Sequence, residues 1–193
     1  VGSEMCIRDR FRVGLLEARI RDERIPLRYG MIGQETNGAG GFTKALRTIP
    51  VILDICKDMT ELCPNAWLVN FTNPSGMVTE SVIKYYPNIK IAGLCNVPIG
   101  VRKSVVQALN AKDEEIELIC GGLNHFFWGR KVLHNGVDKT KEAVEGVLND
   151  LENTPANIRT KEPWVREQIL DLGMIPCGYH RYCLLYTSDA ADE

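Results

Sequence analysis

No stretch of this 193-residue chain approaches the roughly 20 consecutive apolar residues of a membrane-spanning helix. Charge of one sign is not in surplus either: 23 Lys and Arg face 25 Asp and Glu, which excludes the basic excess of a nucleic-acid binder. Seven cysteines are scattered rather than spaced as a disulfide framework, so they read as reduced thiols with a cytoplasmic address. No G-x-G-x-x-G turn follows a strand-like run, and GAGG at 38–41 has the wrong spacing for one. The glycine-rich stretch before it lacks the Lys-Ser/Thr ending of a phosphate loop. Internal repeats and low-complexity tracts are missing as well. What is left has the length of one core with a piece of a second.

The two ends resemble in-frame translations of sequencing-library adapters. VGSEMCIRD opens the chain and CLLYTSDAADE closes it, and MCIRD and CLLYTS are similar to opposite-strand readings of one segment. Residues 1–10 and 183–193 are therefore set outside the fold. The expected native segment is 11–182, open at both ends. Trimming the ends leaves 21 basic and 20 acidic residues, and Cys56, Cys63, Cys95, Cys120 and Cys177.

Along that segment, FRVGLLEARIRDERI (11–25) predicts a helix with Phe11, Leu15 and Ala18 on one side, stopped by Pro26. RYGMIGQETNGAGG reads as a glycine-loosened loop, either a connector or a ligand-approaching segment. Phe42 to Leu62 is a long amphipathic helix kinked at Pro50, with Cys56 and Cys63 sharing its core face. The strand AWLVNF and the turn TNPSG lead to a helix over 77–85. A strand over 90–94 then leads to a helix over 97–110 opened by Pro98. This alternation argues an α/β fold with a parallel, doubly wound sheet. Beyond it, β-structure flanks His125, a helix runs over 140–151, NTPANIRTKEP is a polar loop, and another helix covers 164–172.

Two apolar approaches end in soft metal ligands. KIAGLC delivers Cys95 to the carboxyl end of a strand, and IELICGGLNH delivers His125 in the same manner. Strand ends are where open α/β sheets place their chemistry. One thiolate and one imidazole leave positions open on an ion, as substrate binding requires. The plainer reading of each stays open: a small buried hydrophobe for Cys95, an ordinary core side chain for His125. Asn73, just past a strand end, fits a ribose, a nicotinamide or a sugar hydroxyl, and fits equally well a turn cap before proline.

NFTNPSG, GLCNVPIG and GLNHFFWG stand in this order, with EARIRDERIPLRYG and IGQETNGAGGF before them and GYHRY after. Together they resemble the NAD- and divalent-metal-dependent glycosidases of glycoside hydrolase family four, and GLCNVPIG resembles their 6-phospho-β-glucosidase branch. The resemblance spans residues 11–182. It implies a partial Rossmann-like sheet of the lactate/malate-dehydrogenase type over 11–95 and the start of an α+β metal and substrate domain over 96–182. It also implies that NAD oxidises C3 of the sugar while a transition ion, manganese first among Mn, Ni, Co and Fe, polarises the ketone. A base then removes the C2 proton, the aglycone is eliminated, water adds, and the hydride returns. This route stands outside the usual two-carboxylate mechanism.

By the same resemblance Cys95 and His125 are the metal ligands. Tyr179 is the C2 base, with Tyr182 as its rival, and Arg19 clamps the 6-phosphate. Asn73 binds substrate and cofactor. Glu35 positions metal-bound water or is a solvated loop carboxylate. Asn96 stands where members acting on α-linkages carry an acidic proton donor, which implies β-linked phosphoglucosides. The implied partners are a phosphorylated disaccharide or aryl glycoside and further copies of the full-length chain, with no nucleic acid and no membrane. Three alternatives stay open: a lactate/malate-dehydrogenase-like oxidoreductase, a non-catalytic nucleotide- or sugar-binding module, and a 6-phospho-α-glucosidase or α-galactosidase of the same family.

Overall fold

A computed structural model describes residues 6–149, 163–180 and 182, and the side chains of all of these except 163–165. The predicted loop 153–162 and the segment 183–193 lie outside the described residues. The chain divides into two compact units, the first running to Cys95 and the second starting at Asn96.

In the first unit, β1 (Cys6–Asp9), β2 (Trp67–Asn70) and β3 (Lys90–Gly93) form a parallel sheet in that order. Ile7 pairs with Leu68, and Leu68 with Ile91. The helices are α1 (Leu15–Leu27), α2 (Gly38–Leu62) and α3 (Ser75–Tyr85). Ile52, Cys56 and Met59 of α2, Val78 and Val82 of α3, and Ala66, Leu68 and Ile89 make the core. Parallel strands joined through helices bury apolar side chains this way, as the alternation in sequence predicts.

Four local expectations are corrected. Residues 1–10 were set outside the fold, yet Cys6–Asp9 is a sheet strand. The edge of β2 offers backbone donors and acceptors that any extended segment can satisfy, whatever its side chains. Asp9 bears the consequence: it is buried, and its Oδ2 has no hydrogen-bond partner among the described residues. Burial pushes its carboxyl above the ordinary range, against the Thr72 hydroxyl and amide that bond to it.

The second correction concerns α1. Of its expected apolar side, Leu15 is exposed and Phe11 and Ala18 are only half-buried, while Asp22 and Pro26 are the buried positions. Third, Pro26 lies inside the helix near its end rather than stopping it. Fourth, the glycine-rich loop is less loose than its composition suggests, because α2 begins at Gly38. A Cβ on Gly41 would lie 1.9 Å from the Thr36 carbonyl oxygen, and one on Gly40 would lie 2.4 Å from that of Gln34. These glycines let the loop press onto α2. Gln34 folds the loop further, its Oε1 accepting from the Thr36 and Asn37 amides at 2.6 and 2.7 Å. α2 itself runs through Pro50 without interruption.

The second unit is built on antiparallel pairing. It holds α4 (Val97–Ala108), the hairpin β4 (Ile116–Leu123) and β5 (Phe126–His134), and β6 (Val137–Asp138). α5 (Thr140–Asn149), α6 (Pro163–Leu172) and β7 (Ile175–Pro176) complete it, and β7 pairs with β5. Val101, Val105, Phe127, Val132, Val144, Val147, Ile169 and Ile175 fill its core. His180 is buried beside that core, its ring centroid 4.1 Å from Trp128 and 4.9 Å from Phe126. Neither of its ring nitrogens has a hydrogen-bond partner among the described residues. Desolvation lowers its pKa from the ordinary 6.5 to about 4.

Two outcomes follow from this packing. Gly41→Ala drives a methyl into the Thr36 carbonyl, and it should lower stability by about 1–3 kcal/mol in urea melts. An unchanged melt would mean that the loop can lift away. His180 sets a pH dependence whose sign can be worked out. Below pH 6.5 the unfolded chain takes a proton that folded His180 refuses until about pH 4, so this contribution to stability falls as pH drops through that window. His180→Phe should flatten the slope between pH 7 and 5, measured by melts at each pH. A slope identical to that of the parent chain would mean that folded His180 titrates normally.

Candidate active site

The most highly charged ground in the first unit lies where α1, the loop and α2 meet. Glu35 on the loop receives Arg12 at 3.3 Å and Lys44 on Oε1, and Arg19 at 3.4 Å on Oε2. Arg19 also donates to Glu23 one turn on, at 2.7 Å. Burial alone would raise the Glu35 pKa, but the hydrogen bond and charge of Lys44, then Arg19 and Arg12, hold it below the ordinary carboxylate range. Glu35 is thus a fixed anionic acceptor rather than a proton shuttle. Alongside, Arg47 grips Asp22 with both guanidinium nitrogens, at 2.9 and 2.5 Å, and Thr43 donates to the same carboxylate at 3.0 Å. Arg19 and Glu35, chosen from separate motifs, are therefore brought together. Arg12 and Lys44 are the partners that the sequence reading missed. A signal existed for Lys44, which falls on the stripe Gly41, Ala45, Thr48, Ile52 that α2 buries. A charge on a buried stripe needs a partner.

Asn73 and Cys95 lie past the carboxyl ends of adjacent parallel strands, β2 and β3. That end is tied together by the Leu94 amide, which donates to the Asn70 carbonyl at 2.8 Å. Asn70 is fully buried and caps the turn. Its Oδ1 accepts from the Thr72 amide at 2.9 Å, and its Nδ2 donates to Thr79 Oγ1 at 3.0 Å and to the Ser75 carbonyl at 3.3 Å. The capping task open to Asn73 thus falls to Asn70, and the Asn73 amide makes no side-chain hydrogen bond among the described residues. Cys95 is half-buried and forms no disulfide among the described residues. Asn96, the first residue of the second unit, precedes α4 without a side-chain cap.

In the second unit His125 is not at the end of a parallel strand, as the motif was read. It sits in the two-residue turn of the antiparallel β4–β5 hairpin with φ of 60°, a left-handed conformation that histidine tolerates better than most residues. It is buried, and its ring stacks on Tyr179 at 3.9 Å between centroids and 11° between planes. Tyr182 lies 5.8 Å from Tyr179 and flanks this stack rather than joining it. Pairing of β7 with β5, and the Cys177 amide donating to the Phe127 carbonyl at 3.1 Å, hold the Tyr179 segment beside the hairpin. The result is a phenol against an imidazole. His180, also missed, wedges the same segment against Phe126 and Trp128.

Chemically, Cys95 in the first unit and His125 in the second each carry a soft donor of the kind a transition ion takes. Among the described residues, no group of three or more His, Cys, Asp or Glu side chains gathers at one point. For a dinucleotide, the described strand ends offer the Asn73 edge but no glycine-rich phosphate turn.

Comparison with known proteins points to one family in sequence and in fold. The family 4 glycosyl hydrolase model matches residues 6–111, and the model of that family's C-terminal domain matches 120–193. A probable 6-phospho-beta-glucosidase of Bacillus subtilis is 55% identical over 174 residues, covering 89% of this chain and 39% of the relative. The 6-phospho-beta-glucosidase of Escherichia coli is 46% identical, with 89% and 38% covered. The 6-phospho-beta glucosidase of Thermotoga maritima, solved with manganese, NAD+ and glucose-6-phosphate, superposes with a TM-score of 0.84 at 36% identity, covering 97% of this chain and 44% of that one. A 6-phospho-alpha-glucosidase from gut microorganisms, solved with NAD and Mn2+, also reaches 0.84, at 27% identity, with 96% and 44% covered. The chain spans about two fifths of the length of the curated relatives it matches. The two family models together span most of the chain, and the chain belongs to family 4 of the glycosyl hydrolases.

Proposed function

We propose that this chain is part of a 6-phospho-β-glucosidase that works with NAD and a divalent transition ion, manganese first. The observation carrying the reading is the buried His125 stacked on Tyr179: a metal-ligating imidazole beside a phenol suited to proton abstraction. Its relatives support the choice of substrate: the one at 55% identity is named a probable 6-phospho-beta-glucosidase and the one at 46% a 6-phospho-beta-glucosidase. Asn96 adds to it, because an amide cannot serve as a general acid and so suits a leaving group that water can protonate.

When bound, NAD and the ion supply a reversible hydride acceptor and a Lewis acid, which together make the hydrogen on C2 of the sugar acidic. Cys95 and His125 would hold the ion. Tyr179 takes the C2 proton, and stacking on His125 keeps its ring in one orientation for that step. Arg19 receives the 6-phosphate, for which a guanidinium fork is matched in shape and charge. Glu35 orients water through a carboxylate that stays ionised. Asn73, whose amide is not engaged in capping, binds sugar hydroxyls or the nicotinamide. The substrate is a phosphorylated disaccharide or an aryl glycoside, and the full-length protein assembles as a homo-oligomer. A cytoplasmic address fits cysteines that form no disulfide among the described residues.

The test is made in the full-length protein that contains this segment. Tyr179→Phe should lower kcat by about 10²–10⁴-fold with little change in KM, because it removes a proton acceptor and almost no contact area. In deuterated water the parent enzyme should place deuterium on C2 of the product, and product without deuterium would exclude the elimination route. Arg19→Ala should weaken binding of the phosphorylated substrate by about 2–4 kcal/mol. Equal rates on phosphorylated and plain β-glucosides would contradict its phosphate role.

A further inference from the structure

Lys44 is a lysine held almost out of solvent, at 5% exposure, on the face that α2 turns to the core. Burying an ammonium is costly unless it is paired. Its direct partner is Glu35, and the Asp22 carboxylate also feels its charge. Asp22 is already gripped by Arg47 and bonded by Thr43, so Glu35 is the anion that depends on Lys44. Arg12 and Arg19, the other cations on Glu35, have side chains 37% and 36% exposed. Solvent screens such exposed pairs strongly. The buried ammonium therefore does most to neutralise this carboxylate.

The charge count gives that a consequence. Arg12, Arg19 and Lys44 are the cations here and Glu23 and Glu35 the anions, so removing Lys44 lowers the local charge by one. Without Lys44, Glu35 becomes a stronger competitor for Arg19, which it already touches at 3.4 Å. We propose that Lys44 is a specificity-determining residue: by neutralising Glu35 from the buried side it leaves the charge of Arg19 available to the phosphate of the substrate. This rests on the reading of Arg19 as a phosphate-binding residue. It goes beyond that reading in naming a residue that need not touch the ligand.

The experiment titrates the isotope-labelled 193-residue chain with glucose 6-phosphate, to about 50 mM, and follows the Arg19 Nε–H resonance; glucose is the uncharged control. In the parent chain the resonance should move with glucose 6-phosphate and not with glucose. Lys44→Met should weaken the titration about tenfold, as loss of one nearby charge at a partly screened site predicts. Lys44→Arg should stay within about twofold of the parent, since it keeps the charge. The double variant Lys44→Met with Glu35→Gln restores the original charge balance and should return to the parent affinity. A purely structural role for Lys44 would not be rescued in this way. If Lys44→Met does not fold, the double variant against the parent chain carries the comparison. A Lys44→Met titration equal to the parent's, or a double variant that stays weak, overturns the proposal for Lys44 while leaving Arg19 in place. A parent chain whose Arg19 resonance ignores glucose 6-phosphate removes the phosphate role of Arg19, and this proposal with it.

Discussion

A buried charge network fixes the first unit. Lys44 and Asp22 are nearly out of solvent, and each is matched from another element: Lys44 by Glu35 of the loop, Asp22 by the fork of Arg47. Leaving either charge unmatched would cost about 3–5 kcal/mol, a large share of a small domain's stability. The carboxylate and its cations therefore specify where α1, the loop and α2 meet. Apolar packing cannot do this alone, because α1 leaves Leu15, Leu16 and Ile20 in solvent. The glycines at 40 and 41 serve the same end by admitting the loop backbone where any side chain would collide. Structure and proposed chemistry share these atoms, since the residues that hold α1 in place also surround Arg19.

The second unit solves its placement problem differently. Antiparallel pairing of β5 with both β4 and β7 sets the hairpin turn beside the Tyr179 segment, and ring stacking replaces ion pairing as the orienting contact. His180 extends this design. Its neutral ring fills space between Phe126 and Trp128, and desolvation holds its pKa near 4. One unit thus orients its groups by charge in a half-screened setting, the other by aromatic packing on a hairpin.

The sheet of the first unit shows how little a parallel strand asks of its sequence. Cys6–Asp9 pairs along the whole of β2 although it places a carboxylate in a buried position, with one oxygen lacking a hydrogen-bond partner among the described residues. Backbone pairing supplies the register, and the side chain bears the penalty. At the other end of the same strands, Asn70 takes the capping role within the turn and leaves the Asn73 amide without that task.

What the sequence determined by itself were the features of short range. Apolar period and turn residues set the order of strands and helices, and Pro98 marked the start of α4. These follow from 3.6- and 2-residue periods and from local turn chemistry, which a linear reading resolves. Tertiary structure alone decided the rest. Lys44 became an ion-pair partner of Glu35, Arg47 met Asp22 across 25 positions, Asn70 rather than Asn73 capped the turn, and His125 fell on an antiparallel hairpin. The two ion pairs share one physical reason. Whether a charge is buried, and which group meets it, depends on the packing of elements distant in sequence, and no local period encodes that distance.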